Sequence, residues 1–155
     1  MEITIKTATL ENLEDIIKLN HMLCIKEHTD YEITVNPYFP ISQIGRDYFK
    51  ERIKNECALV AIYNDGVIGY LVGAIIPNEH YRTISKIAEV ENMYILEPSR
   101  NLGIGKMLMK EFEKWSKSKN TQIIRVVASV QNTDAIKFYQ NTGFNDYNLT
   151  LEKKL

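Results

Sequence analysis

The chain has 155 residues, of which 45% are apolar and 25% charged, a composition typical of a globular domain. This length suits one domain with a core of its own, so we expect residues 1–155 to form a single domain. Nineteen basic and twenty acidic residues give a net charge of −1, which predicts no general attraction to nucleic acid or to an anionic membrane.

The first half of the chain predicts one strand, two helices and a hairpin. Apolar and polar residues alternate at the start, as in a half-buried strand. Thr9 is a suitable N-cap for a helix with an apolar face. Asn64-Asp65-Gly66 stands between two apolar runs, which is a strong hairpin signal. The predicted segments are a strand at 3–7, a helix from Thr9 to about Lys26, an irregular connection at 27–42, a helix from Ser42 to about Asn55, and the hairpin.

The second half predicts three more strands and two helices. After a loop at 77–85, the predicted segments are a strand at 87–96, a helix at 103–118, a short strand at 123–129, a helix at 133–141, and a last strand at 144–151. The order β-α-α-β-β-β-α-β-α-β predicts an α+β (mixed α/β) fold, with a mixed sheet and helices on its faces.

Two cysteines, Cys24 and Cys57, lie in apolar stretches and have no partner at metal-ligand spacing, so we expect buried free thiols and no metal site. The first residues lack the charged and apolar regions of a signal peptide. No apolar run is long enough to span a bilayer. These features favour a cytoplasmic protein.

The stretch Arg100-Asn101-Leu102-Gly103-Ile104-Gly105 joins a predicted strand to a helix. A nucleotide P-loop would need glycine in place of Arg100 and serine or threonine in place of Met107. The dinucleotide fingerprint would need a small residue in place of Leu108 and an acid near residues 122–125. The remaining pattern, Arg-x-x-Gly-x-Gly opening a helix, suits an anion such as pyrophosphate, because helix N–H groups point outward and glycines let a ligand approach. A turn that merely connects two elements remains an alternative.

A second motif follows downstream: Asn132-x-x-Ala135-x-x-x-Tyr139-x-x-x-Gly143-Phe144. With both motifs, the chain resembles the GNAT N-acetyltransferase family over nearly its whole length. The resemblance implies a GNAT-like fold, acetyl-CoA as co-substrate without a metal, and a possible homodimer. Tyr139 would stand near the sulfur. The implied coenzyme-binding residues are Met93, Tyr94 and Ile95 for the pantetheine arm, Arg100, Asn101, Leu102, Gly103, Ile104, Gly105 and Lys106 around the pyrophosphate, and Asn132 along the arm.

The strand at 87–96 has an irregular apolar phase. Ala88 and Val90 share one face, whereas Met93 and Ile95 would lie on the opposite face of a regular strand. If all four face the core, one residue near Asn92 is extra, which predicts a β-bulge. The bulge would splay the fourth strand from the fifth and open the cleft that the resemblance implies. An N–H group freed by the bulge could stabilise an oxyanion.

Acetyl transfer to an amine requires a neutral amine, a polarised thioester carbonyl and protonation of the departing thiolate. No Cys-His or Ser-His-Asp arrangement is visible, so direct attack on the thioester is favoured. Glu89 and Glu91 lie on one strand face beside the expected cleft and are both candidate bases; a salt-bridged pair or a solvated face is the alternative. The Tyr139 phenol is the candidate acid.

The acceptor is predicted only as a primary amine of a small molecule or protein. The connection after the first helix contains acidic and aromatic residues that could receive a cationic amine, or could form a solvated loop. Its members are Glu27, His28, Asp30, Tyr31 and Glu32. An alternative function is a CoA-binding sensor or regulatory domain without turnover.

Overall fold

The computed structural model describes residues 2–77 and 79–155. Five strands form one sheet in the order β1-β2-β3-β4-β5. Three antiparallel pairs and one parallel pair, β4 with β5, confirm the mixed, mostly antiparallel sheet. The elements are β1 (Thr4–Thr7), α1 (Leu13–Asp30), α2 (Gln43–Asn55), β2 (Cys57–Tyr63), β3 (Gly66–Ile76), β4 (Ile87–Ile95), α3 (Ile104–Ser118), β5 (Ile123–Val126) and α4 (Thr133–Asn141).

Two apolar cores cover the two faces of the sheet, which confirms the prediction of helices on both faces. On one face, Ile16 of α1 and Phe49 of α2 pack with Tyr70 of β3. On the other, Leu108 and Phe112 of α3 pack against sheet residues that alternate with the first set. The strands of the sheet centre are therefore buried on both sides, so their positions are fixed by packing.

Helix α1 is longer than predicted, since it ends at Asp30 rather than near Lys26. Its last turn is supported by the Lys26–Asp30 ion pair at 2.7 Å, four residues apart. Apolar periodicity alone did not reveal this turn. Glu27 and His28 consequently belong to α1 and not to a loop. The hairpin is confirmed, with Asn64 and Asp65 both at positive φ (46° and 61°) as in a type I′ turn.

The predicted last strand at 144–151 is wrong, because the described residues after α4 form no strand. β5 is also shorter than predicted and ends at Val126. Alternating side chains form a strand only where a neighbouring edge pairs with them, and here residues 145–155 make no backbone–backbone hydrogen bond with the described part of the chain. Among residues 2–77 and 79–155, no helix has the length and apolar character needed to cross a membrane.

Candidate active site

The predicted bulge is present in β4. Val72 of β3 lies opposite Asn92, but the next residue, Gly73, lies opposite Val90, so Glu91 is extra. Ala88, Val90, Met93 and Ile95 all pack in the same core, as predicted. β5 pairs with β4 only as far as Val90, which faces Val126. Beyond this point β4 continues to Ile95 without pairing with β5.

A run of unused backbone donors lies at the start of α3. The Arg100 N–H donates to the Glu97 carbonyl at 3.1 Å, and the Met107 N–H donates to the Gly103 carbonyl at 3.1 Å. Between them, the N–H groups of residues 101–106 have no backbone partner within the described part of the chain. We call these six groups the amide cradle. Asn101 and Gly103 adopt left-handed φ values of 63° and 79°, a backbone arrangement that gathers N–H groups into an anion-binding concavity.

Glycine is favoured at the two positions of the cradle, 103 and 105, for different structural reasons. Gly103 has nothing within 4 Å of an added Cβ, so its positive φ is what favours glycine there. An added Cβ on Gly105 would lie 2.9 Å from the Phe138 ring. Gly105 therefore allows α3 to pack closely against α4, whereas the sequence interpretation had assigned it to ligand approach.

The Arg100 side chain folds back onto the end of β4. Its Nε donates to the Ile95 carbonyl at 3.0 Å, and its guanidinium carbon lies 5.2 Å from the centre of the Tyr94 ring. Glu97 lies 3.5 Å from Nη1. In this conformation Arg100 ties the loop to the strand, a role that the sequence motif did not reveal.

Tyr139 is only 9% exposed and joins the core that contains Val90 and Ile104. Its ring is edge-on to Phe138 and Phe144 at 5.1 and 5.4 Å. Burial raises the pKa of Tyr139 to about 12, so the phenol stays protonated at physiological pH. The motif thus brings Tyr139 between the bulged strand and the start of α3.

Asn132 is the N-cap of α4. Its Oδ1 accepts a hydrogen bond from the Ala135 N–H at 3.2 Å. The cap fixes where α4 begins and so where Tyr139 lies. This bond uses the side-chain oxygen and leaves the amide nitrogen to other contacts.

Glu91 is clamped by α2. Its Oε2 accepts hydrogen bonds from the Tyr48 hydroxyl and from Arg52 Nε, both at 2.6 Å, and its Oε1 accepts one from Arg52 Nη2 at 2.7 Å. Burial, and then the neighbouring Glu91 carboxylate, raise the pKa of Tyr48. Taking up a proton on Glu91 would weaken these charge-assisted bonds. Glu91 is therefore better suited to holding the bulge against α2 than to accepting a proton.

Glu89 is held less completely. Its Oε2 accepts a hydrogen bond from Arg125 Nε at 2.8 Å, and Arg125 also contacts Glu79 at 2.7 Å. Among the described residues, Oε1 of Glu89 accepts no hydrogen bond. Of the two candidate bases, Glu89 is the one with an unoccupied carboxylate oxygen.

The sequence interpretation missed the arginines that pair with these acids. Glu89 and Arg125 are direct neighbours in the register of β4 and β5. The signal was available, since residues 87–90 (IAEV) and 123–126 (IIRV) place a charge at the same phase of two parallel strands. Arg52 and Tyr48 had no comparable signal, because their contact with Glu91 depends on how α2 crosses the sheet.

Both thiols are buried and free, as predicted. Burial raises the pKa of Cys57 to about 12 and that of Cys24 to about 11. Neither is a thiolate at neutral pH, which argues against a covalent acyl-cysteine intermediate.

Comparisons with known proteins agree with this geometry. Residues 22–144 match the model of the acetyltransferase (GNAT) family. An N-alpha-acetyltransferase of Sulfurisphaera tokodaii is 28% identical over 94% of this chain and 81% of its own length. The probable N-acetyltransferase san of Drosophila melanogaster is 30% identical over 68% of this chain and 56% of its own length.

Solved structures show the same fold. The PaiA N-acetyltransferase of Thermoplasma acidophilum in complex with coenzyme A matches with a TM-score of 0.78 and 22% identity, over 97% of this chain and 94% of its own. The aminoglycoside N-acetyltransferase AAC(6′)-Iy in complex with CoA matches with a TM-score of 0.79 and 16% identity, over 99% and 95% of the two chains. Since the family model covers most of its length, the chain belongs to the GNAT family of acetyltransferases, the acyltransferases that carry out acetyl-CoA-dependent N-acetylation.

Proposed function

We propose that the chain transfers an acetyl group from acetyl-CoA to a primary amine of a small molecule or a protein, by direct attack within a ternary complex. The observation that carries this proposal is the amide cradle at the start of α3, close in sequence to the end of β4, which runs past its last pair with β5. To this cradle the proposal adds a buried phenol, Tyr139, and a carboxylate with one free oxygen, Glu89. Together these groups provide for an anion, a leaving thiolate and an incoming amine.

The amide cradle would hold the pyrophosphate of the coenzyme. Three of the six N–H groups, those of residues 104–106, belong to the first turn of a 15-residue helix, and this positive end favours an anion. The backbone of Met93, Tyr94 and Ile95 would bind the pantetheine arm, since β4 extends there past its last pair with β5. Asn132, with its amide nitrogen available, would lie along the same arm.

Glu89 would act as the base, taking the proton of the amine directly or through a water molecule. Its unoccupied oxygen supports this assignment over Glu91, whose two oxygens both accept bonds from Arg52. Arg125 would orient Glu89 through its contact with the other oxygen. Glu91 is proposed as a positioning residue that keeps the bulge in place.

Tyr139 would stabilise the departing thiolate. A phenol with a pKa of about 12 holds its proton more tightly than a thiol of pKa about 8.5, so the proton rests on the oxygen. The phenol is then suited to donating a hydrogen bond to the sulfur rather than to complete proton transfer. The pKa of Tyr139 therefore modifies the simple general-acid role expected from the sequence.

The acceptor would approach along a groove between α1 and the end of β4, which we call the acceptor groove. Its volume is about 560 Å³, and it is lined by Met22, Ile25, Lys26, Thr29, Asp30, Tyr94, Leu96, Glu97 and Pro98. Apolar and charged side chains alternate along it, as suits an amine on an apolar stem. The relative named N-alpha-acetyltransferase and the structure named aminoglycoside N-acetyltransferase support keeping both kinds of acceptor in the proposal.

Thiol release from acetyl-CoA across a panel of amines tests the proposal. The panel contains peptides with free N-termini, lysine peptides, polyamines and aminoglycosides, and a second donor with a longer acyl chain tests donor length. We expect the unaltered chain to release thiol only when an amine is present. The Tyr139→Phe variant should bind the coenzyme with the same affinity and release thiol more slowly. Coenzyme binding without release by any amine would favour a sensor or regulatory domain.

A further inference from the structure

The two acids of β4 are paired with arginines in two different geometries. Arg52 meets Glu91 side-on, because its Nε and Nη2 donate to the two carboxylate oxygens at 2.6 and 2.7 Å. Arg125 meets Glu89 through Nε alone, at 2.8 Å from Oε2. A planar guanidinium favours two parallel bonds to one carboxylate. The single bond between Arg125 and Glu89 therefore indicates that another group holds Arg125 in place.

That group is Glu79, in the loop between β3 and β4. Nη1 of Arg125 donates to Glu79 Oε1 at 2.7 Å. The side chains of Glu79, Arg125 and Glu89 are only 20–27% exposed, so their contacts lie partly out of solvent. The hydrogen bond from Arg125 lowers the pKa of Glu79, which is therefore a carboxylate at neutral pH. Arg125 is thus shared between two charged acids.

Further contacts fix the loop that carries Glu79. The Arg82 N–H donates to the Glu79 carbonyl at 2.8 Å, and the Tyr81 hydroxyl donates to Glu79 Oε2 at 3.1 Å. At the other end of the loop, the Ser85 N–H donates to Oε1 of Gln122 at 2.7 Å. Gln122 directly precedes β5, so the loop is tied to the strand that carries the shared arginine. The place of the Glu79 carboxylate is therefore set by the backbone as well as by its charged partner.

We propose that Glu79 is a positioning residue, which keeps one oxygen of Glu89 available by holding Arg125 in the single-bond arrangement. The inference rests on the proposed role of Glu89 as the base. Without the Glu79 carboxylate, Nη1 of Arg125 loses its partner. The guanidinium then turns until Nε and Nη2 engage both oxygens of Glu89, as Arg52 does with Glu91. In that closed pair, the carboxylate accepts a proton only after a charge-assisted hydrogen bond is broken.

Turnover in a double-mutant cycle tests this coupling. Glu79→Gln should lower kcat by about 10–100-fold, the value of one hydrogen bond to a charged group, and leave KM for acetyl-CoA unchanged. In an Arg125→Lys background the same change should cost about twofold or less, because a lysine ammonium has no planar fork with which to take both oxygens. Glu111→Gln is the matched control, since it removes an acid that pairs with Lys114 on α3, and it should keep full turnover.

A crystal structure of the Glu79→Gln variant tests the geometry without any turnover. Nη2 of Arg125 should lie at hydrogen-bond distance from Oε1 of Glu89, about 3 Å, and Nε should keep its bond to Oε2. The pair of Arg52 and Glu91 in the same crystal shows what the closed arrangement looks like. An Arg125 that keeps a single bond to Glu89 in this variant would overturn the proposal.

The results separate this proposal from the assignment of the base. If Glu89→Gln keeps full turnover, the base assignment fails, and the crystal structure alone decides whether Glu79 holds the pair open. If Glu89→Gln loses turnover and Glu79→Gln does not, the positioning role is overturned. A loss in Glu79→Gln that persists undiminished in the Arg125→Lys background overturns it as well, because the effect would then not pass through the guanidinium.

Discussion

The variants Glu89→Gln and Glu91→Gln should differ in what they lose: the first should lose turnover, and the second should lose stability. Glu91 is 17% exposed and Arg52 is 22% exposed, so removing the charge leaves a guanidinium largely out of water opposite a neutral amide. Breaking a buried pair costs about 3–5 kcal/mol, and the partial exposure here reduces the cost to roughly 2–4 kcal/mol. The turnover of Glu91→Gln should fall by less than about tenfold at temperatures where it is folded.

Glu89→Gln should show the opposite behaviour. Arg125 retains its contact with Glu79, so the loss of stability should stay near about 1 kcal/mol. Removing a general base lowers turnover by about 10²–10⁴-fold. The rate of this variant should rise steeply with pH below the pKa of the amine, because only the neutral amine reacts without a base.

Denaturant unfolding gives the free energy of unfolding of both variants, and thiol release at saturating acetyl-CoA gives their turnover over a range of pH. Equal losses of turnover, or a larger loss for Glu91→Gln at unchanged stability, would refute the assignment. Full activity of Glu89→Gln at neutral pH would remove Glu89 from the chemistry.

Three further predictions concern other parts of the site. Tyr139→Phe should lower turnover by about 10–100-fold, the value of one hydrogen bond to a charged group, with unchanged coenzyme affinity in calorimetry; unchanged turnover would exclude the phenol. Gly105→Ala should cost about 1–3 kcal/mol of stability through the Phe138 contact and regain most of it in a Phe138→Leu background, as measured by unfolding; no recovery would refute the packing explanation. Burial raises the pKa of Glu27, and no described residue donates a hydrogen bond to its carboxylate, so Glu27→Gln should stabilise the fold at neutral pH by up to about 1 kcal/mol. Because the raised pKa favours the protonated folded state, this gain should vanish as the pH falls below the usual carboxyl range, and a gain that persists there would contradict it.

The site elements that follow from local sequence could be predicted. The bulge could be predicted because the apolar residues of one strand change phase. Residues on both sides of the phase change can face the same core only if one extra residue stands between them. The cap by Asn132 and the left-handed Gly103 likewise depend on residues within one turn of each other. Such features need no knowledge of distant contacts.

The parts that depend on tertiary contacts could not be predicted from one sequence. The clamp on Glu91 joins residues 39 positions apart, and the fold back of Arg100 onto Ile95 depends on where the loop leaves the strand. The missing strand at 144–151 is the clearest case. Its alternation is real, but a strand requires a partner edge, and no pattern within the segment says where that edge lies.

The most direct test of the amide cradle is to follow its six N–H groups by NMR while the chain is titrated with coenzyme A and, separately, with pantetheine, which lacks the pyrophosphate. The account predicts large shifts of the amides of residues 101–106 with coenzyme A and small ones with pantetheine, while the β4 amides near Met93 and Ile95 respond to both. Equal responses of the cradle to the two compounds, or no response to coenzyme A, would contradict it.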